Sequence, residues 1–188
     1  MRRVYMDYQA AMPVDERVIR AMEPYMLTSF GNPSSLHSQG QEAREAVEDS
    51  RLKVARLTGG AKAEEIIFTS GGTESNNLAL KGVAARNMKR GNHIVTTTIE
   101  HISVVNVSKY LEKQGFQVSR VPVDHYGSVD LDRLRAEVRE KTTLVSVMYA
   151  NGEIGTIEPI REISEICEEK GVPLHVDAVA AAGRIPID

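Results

Sequence analysis

From residue 66 onward, short apolar runs alternate with longer segments of helical periodicity, and this alternation restricts the fold more than any other feature of the chain. The runs are Ile66-Ile67-Phe68, Ile94-Val95-Thr96-Thr97-Thr98, residues 118–123, residues 144–148 and Leu174-His175-Val176-Asp177. Between them lie residues 78–85, a stretch through Val104, Val107 and Leu111 that ends at Gly115, and one carrying Leu131, Leu134 and Val138. A last helical segment follows Pro159, with Ile160, Ile163 and Cys167 on one face, and closes at Gly171. Strands separated by helices read as βαβ units. The pattern predicts an α/β fold, a mostly parallel sheet with flanking helices.

The first third is less regular. Val4-Tyr5-Met6-Asp7-Tyr8 reads as a short strand or an extended arm. Pro13 is expected to open a helix in which Val14, Val18, Met22 and Met26 recur every four residues. Residues 30–37, with Gly31 and Asn32-Pro33, have loop chemistry. A helix follows, with Ala43, Ala46, Val47, Ser50, Val54 and Leu57 along one face.

Bulk properties remove several classes of function. The 188 residues suffice for one well-buried domain, and 41% hydrophobic with 26% charged residues describes a soluble globular chain. A net charge of −3 without a basic block argues against a nucleic-acid surface. No apolar span is long enough to cross a bilayer, and no signal peptide opens the chain. The single cysteine excludes an internal disulfide, in keeping with a reducing cytoplasm.

In a parallel sheet, ligands bind beyond the carboxyl ends of the strands. Gly72 and Thr73, Glu100 and His101, Asn151, and Asp177 all fall at or just after expected strand ends. In Ser70-Gly71-Gly72-Thr73-Glu74-Ser75, two glycines allow close backbone approach, Ser70, Thr73 and Ser75 add hydroxyls, and the following helix presents unpaired N–H groups. The turn either seats an anion such as a phosphate or only caps a helix. His101 is placed to stack on a planar ligand or move protons, or it is a surface histidine. Asp177 closes an apolar strand, where a carboxylate needs a cation or donors; locally an N-cap serves as well. Asn151-Gly152 is a turn on its own terms. His175 and Asp177 share a strand face, but no third ligand stands at a metal-binding spacing. Cys167 reads as a small core hydrophobe.

Taken together, the ordered motifs resemble the NifS/IscS-type cysteine desulfurases, pyridoxal-phosphate (PLP) enzymes of fold type I. The resemblance runs through Asp7-Tyr8, Phe30-Gly31-Asn32-Pro33-Ser34-Ser35 with His37, and Phe68-Thr69-Ser70-Gly71 with Thr73-Glu74-Ser75. It continues through Glu100-His101, Asn151 with Glu153-Ile154-Gly155, and His175-Val176-Asp177-Ala178. It implies that Gly72 and Thr73 hold the PLP phosphate and that His101 stacks on the ring and assists proton transfer. It further implies that Asn151 contacts the ring hydroxyl or the substrate carboxylate and that Asp177 pairs with the ring nitrogen. The family reaction takes sulfur from L-cysteine for iron–sulfur cluster assembly or thiolation, in a homodimer that delivers it to a scaffold protein.

The resemblance also implies what to expect of the chain's extent. Residues 1–13 would be an N-terminal arm and residues 14–188 a partial PLP-binding large domain, with the small domain absent. The family's Schiff-base lysine and sulfur-accepting cysteine lie beyond the stretch matched here, so PLP would be held non-covalently at most and the chain alone would not turn over L-cysteine. Ala11 stands where the family usually has Thr, and Ala180 where it usually has a Gln that hydrogen-bonds the PLP phenolic oxygen. Two other readings share the cofactor residues: a selenocysteine lyase or other type I Cβ-lyase, and a non-catalytic sulfur-cluster scaffold with a vestigial site.

Overall fold

Four of the five apolar runs pair into one all-parallel sheet: β1 (His93–Thr97), β2 (Gln117–Val121), β3 (Thr142–Met148) and β4 (Leu174–Asp177), in the order β2-β1-β3-β4. The structure is a computed structural model describing residues 3–187. It divides into two units, one formed by the chain up to Ile67 with its last residues and the other spanning Phe68–Pro186, which contains the whole sheet.

In the second unit the helices are α3 (Gly72–Arg86), α4 (Ile102–Lys113), α5 (Leu131–Glu137) and α6 (Ile160–Glu169). Neighbouring strand residues point to opposite faces. Ile94 and Leu144 therefore pack with Leu80 and Ala84 of α3 and Val104, Val107 and Leu111 of α4. Val95, Val145 and Val147 pack with Leu134 of α5 and Ile163, Ile166 and Cys167 of α6. Each fully buried Leu, Ile or Val contributes about 1.5–3 kcal/mol, and this two-sided burial explains the consecutive apolar residues Ile94-Val95 and Leu144-Val145 in the two central strands.

From β1 the chain crosses through α4 to β2 on one side, then returns through α5 to β3 on the other side and continues through α6 to β4. The direction reverses between β1 and β3, which makes the carboxyl ends of these two strands the topological switch point where such sheets bind ligands.

At the opposite end, a ring of hydrogen bonds joins β1, β2 and β3 to the end of α5. His93 Nδ1 meets Thr142 Oγ1 at 2.8 Å and its Nε2 meets Ser119 Oγ at 2.9 Å. Ser119 donates to Glu137 at 2.6 Å, Arg139 donates to Glu137 at 2.5 Å, and the Arg139 N–H returns to Thr142 Oγ1 at 2.8 Å. Burial holds the His93 imidazole below its ordinary pKa.

The first unit contains α1 (Glu16–Leu27), α2 (Ser38–Leu57) and a short 3-10 turn, Ala63–Glu65. The helix expected from Pro13 begins at Glu16, because the Asp15 carboxylate caps it by accepting the Arg17 N–H at 2.8 Å. Its apolar residues Val18, Met22 and Met26, and Val14 just before it, are exposed. His37 caps α2 through Nδ1, which accepts the Gly40 N–H. The Gly31 backbone passes so close to Gln39 that an added Cβ would meet its carbonyl oxygen at 2.2 Å.

One expected strand is absent. Ile66-Ile67-Phe68 lies outside any ladder, with Ile67 and Phe68 exposed. The Ile66 carbonyl accepts from the Arg51 guanidinium. Among the described residues, no helix is long and apolar enough to cross a membrane.

Candidate functional site

The glycine turn forms without a preceding strand. Gly71 adopts φ 155° and ψ 179°, a region open essentially only to glycine. It serves as N-cap of α3, whose first-turn N–H groups at Gly72, Thr73 and Glu74 have no intrahelical acceptor. A Cβ on Gly72 would lie 2.6 Å from Val179 Cγ2, so only glycine lets this backbone pass under Val179 as it stands. Not all the expected hydroxyls face a ligand: Ser75 Oγ is engaged with Thr69 Oγ1 at 2.7 Å. The Glu74 carboxylate closes the turn by accepting the Ser70 N–H at 2.6 Å.

One turn into α3, Asn76 Nδ2 donates to Asp177 Oδ2 and to Ser103 Oγ, both at 2.8 Å. Asp177 is buried at the end of β4, and its Oδ1 accepts the Val179 N–H at 3.1 Å. The cost of burying this carboxylate is thus met by two donors. His101 caps α4: its Nδ1 accepts the Ser103 N–H at 3.2 Å and lies 2.7 Å from Ser103 Oγ. The ring is otherwise exposed.

Glu100 spans the switch point. Its Oε1 accepts from Thr97 Oγ1 at 2.6 Å and from the Met148 N–H at 3.1 Å, joining the ends of β1 and β3. Its Oε2 is buried and has no hydrogen-bond partner among the described residues. Burial pushes this carboxyl up to about 7, the two hydrogen bonds oppose the shift, and the nearby Asp177 adds to it. Asn151 braces the same gap: its Nδ2 donates to the Ile99 carbonyl at 3.1 Å, while its Oδ1 accepts the Glu153 and Ile154 N–H groups at 2.9 and 3.3 Å. It is therefore the turn residue that Asn-Gly announces, and it also ties the loop after β3 to the loop after β1.

The remaining candidates lie elsewhere. Cys167 is buried in the α6 core, where burial pushes its thiol up to about 11. Lys170 is the C-cap of α6, and its carbonyl accepts from Arg90 at 2.9 Å, away from the strand carboxyl ends. His175 Nδ1 meets Ser146 Oγ at 2.9 Å, and burial lowers its pKa.

The structure thus connects His101 and Asp177 through Ser103 of α4 and Asn76 of α3, the helix the glycine turn opens, while Glu100 and Asn151 tie the ends of β1 and β3 and the loops after them. Asn76 and Ser103 were missed in the sequence, although a signal existed. Asn76 occupies the same buried stripe of α3 as Leu80 and Ala84, and Ser103 the same stripe of α4 as Val107. A polar residue in such a stripe implies a buried partner.

Residues 4–188 match the family model described as aminotransferase class-V. Cysteine desulfurase IscS 1 of Archaeoglobus fulgidus is 55% identical over 184 residues, covering 98% of this chain and 48% of that protein. The IscS cysteine desulfurase of Dictyoglomus turgidum is 50% identical over 187 residues, covering 100% of this chain and 47% of that protein. Among solved structures, a NifS-like protein superimposes with a TM-score of 0.95 at 44% identity, covering 100% of this chain and 52% of its own. A structure of SspA in complex with cysteine superimposes at 0.86 with 36% identity, over 92% and 49% of the two chains. The chain spans about half the length of these relatives. With the parallel sheet, the glycine turn and the buried acid at the end of β4, the match establishes that the chain belongs to the aminotransferase class-V family, alongside cysteine desulfurases of the IscS and NifS type.

Proposed function

We propose that this chain supplies the cofactor-holding part of a cysteine desulfurase that takes sulfur from L-cysteine. The observation that carries the reading is the distance along α3 between an anion cup and a buried carboxylate. Gly72 and Thr73 open the helix, and Asn76 holds Asp177 four residues later, about 6 Å along the axis at 1.5 Å per residue. That is the scale of a pyridine ring carrying a phosphate arm. The donor set fits PLP in kind as well: free N–H groups for the phosphate, an accept-only carboxylate for a ring N–H, and an exposed imidazole beside them.

When bound, PLP supplies an electron sink for breaking bonds at the substrate's α-carbon. The chain's own residues do the rest. Gly72 and Thr73 bind the phosphate and fix the register of the ring. Asp177 accepts from the ring nitrogen and keeps a proton there. His101 covers the ring and moves protons through its free edge. Asn151 has a second Nδ2 hydrogen with which to meet the ring hydroxyl or the substrate carboxylate. Lys170 lies at the end of α6 away from the strand carboxyl ends and Cys167 is buried in the α6 core, in keeping with non-covalent binding of PLP by this chain. The same reading assigns it to the cytoplasm, in a homodimer serving an iron–sulfur scaffold protein.

Titration of the chain with PLP, followed by cofactor absorbance, tests the reading. Saturable binding is expected, weaker for pyridoxal lacking the phosphate and lost in Asp177→Ala. Equal affinity in Asp177→Ala would remove its basis.

A further inference from the structure

Asn76 sits where a leucine would pack, on the buried stripe of α3 that continues through Leu80 and Ala84. Its Nδ2 is a donor only and carries two hydrogens. One goes to Asp177 Oδ2 and the other to Ser103 Oγ, each at 2.8 Å. Turning the amide over would set its oxygen against the Asp177 carboxylate, acceptor against acceptor, so the network itself fixes the amide's orientation. Ser103 Oγ is then an acceptor toward Asn76, and its single hydrogen goes to His101 Nδ1 at 2.7 Å. The Ser103 N–H is directed at the same nitrogen, at 3.2 Å. A ring nitrogen facing two donors carries no hydrogen, which leaves the proton of the neutral ring on Nε2.

We propose that Asn76 and Ser103 are positioning residues that hold His101 as its Nε2–H tautomer and join it to the Asp177 carboxylate through one directed hydrogen-bond chain. The use of this chain rests on the PLP reading above, whereas its geometry does not. The two groups assigned to the face and the nitrogen of the cofactor ring are thereby set by a single pair of side chains. His101 enters as a group that offers a proton at its exposed edge, and it must part with that proton before Nε2 can accept one.

The test is made on the 15N-labelled chain without cofactor, using long-range 1H–15N correlations of the His101 ring assigned by their loss in His101→Gln. A protonated Nε2 and a bare, hydrogen-bonded Nδ1 are expected; an Nδ1–H ring overturns the proposal. Ser103→Ala and Asn76→Leu should each shift the Nδ1 resonance toward that of a less strongly hydrogen-bonded nitrogen. The double variant should shift it no further than Ser103→Ala, because both changes cut the same chain. Additive shifts, or an unmoved resonance in Ser103→Ala, overturn it. Ser103→Ala decides alone if Asn76→Leu does not fold. In PLP titrations, Asn76→Leu should bind about tenfold more weakly, having lost the donor that holds Asp177; unchanged affinity refutes the link to Asp177. If the unaltered chain takes up no PLP, the cofactor reading fails, and the ring resonances still decide the hydrogen-bond chain.

Discussion

Replacing Glu100 by Gln should stabilise this protein at alkaline pH and have little effect at acid pH. Glu100 is 9% exposed and bridges β1 and β3 through one oxygen while the other has no hydrogen-bond partner among the described residues. Its folded carboxyl titrates at about 7 against an ordinary 4.5. Between these values the unfolded chain has released the proton and the folded chain still holds it. The folded state therefore binds more protons, and its stability falls as pH rises through this window. At ~1.4 kcal/mol per pKa unit, the loss is about 3 kcal/mol by pH 8. Gln keeps the accepting oxygen toward Thr97 and Met148 and has nothing to ionise. Urea unfolding of both proteins from pH 4.5 to pH 8 should show an advantage for Glu100→Gln that grows by about 3 kcal/mol. In melting temperature this is about 6–12 °C for a chain of this size. An advantage of equal size at both ends of the range would show that Glu100 is ionised throughout and that its burial does not control its proton.

His93 should act in the opposite sense. Its folded imidazole titrates below the ordinary 6.5, so its contribution is present above pH 6.5 and is lost as pH falls below it; stability relative to His93→Asn should decline on acidification, and a constant difference would count against the ring of hydrogen bonds. Ile163→Ala, which empties a fully buried position under α6, should cost about 2–5 kcal/mol in chemical denaturation, whereas Met22→Ala on exposed α1 should stay within about 0.5 kcal/mol. Cys167 should resist a thiol-specific reagent at pH 8 until the chain is unfolded, because its thiol is buried and titrates at about 11; rapid labelling of the folded protein would contradict that placement.

The sheet was legible because its two central strands are buried on both faces. Val95, Val145 and Val147 face one helical layer and Ile94 and Leu144 the other, so the central runs combine consecutive apolar residues with small hydroxyl side chains and are easy to recognise. Ile66-Ile67-Phe68 has the same composition but joins no ladder among the described residues, and composition does not register the partner that a ladder requires. His101, Asn151 and Asp177 lie at or after strand carboxyl ends as their positions in the sequence predict, whereas Gly72 follows no strand among the described residues. What joins them was not legible. Asn76 and Ser103 look locally like ordinary helix residues, and Glu100 looks like a surface acid until its partners Thr97 and Met148 are placed around it. Asn151 was read as a turn or a ligand contact, and its bond to the Ile99 carbonyl spans 52 residues that no local pattern links.

The bond between Asn76 and Asp177 also spans sequence, 101 residues of it. It therefore orders events in time as well as in space. While the chain is being made, α3 and β1 emerge long before β4, and during that interval the buried stripe of α3 carries an amide with no carboxylate to meet. Closing so long a loop is slow compared with forming either helix or the β1–β2 pair. The proposed phosphate seat draws on Gly71 and the first turn of α3, all early in the chain, whereas Asp177 arrives only when β4 adds to β3. Phosphate-like ligands should thus find a seat on partly folded chains, whereas recognition of a ring nitrogen has to wait for the last strand.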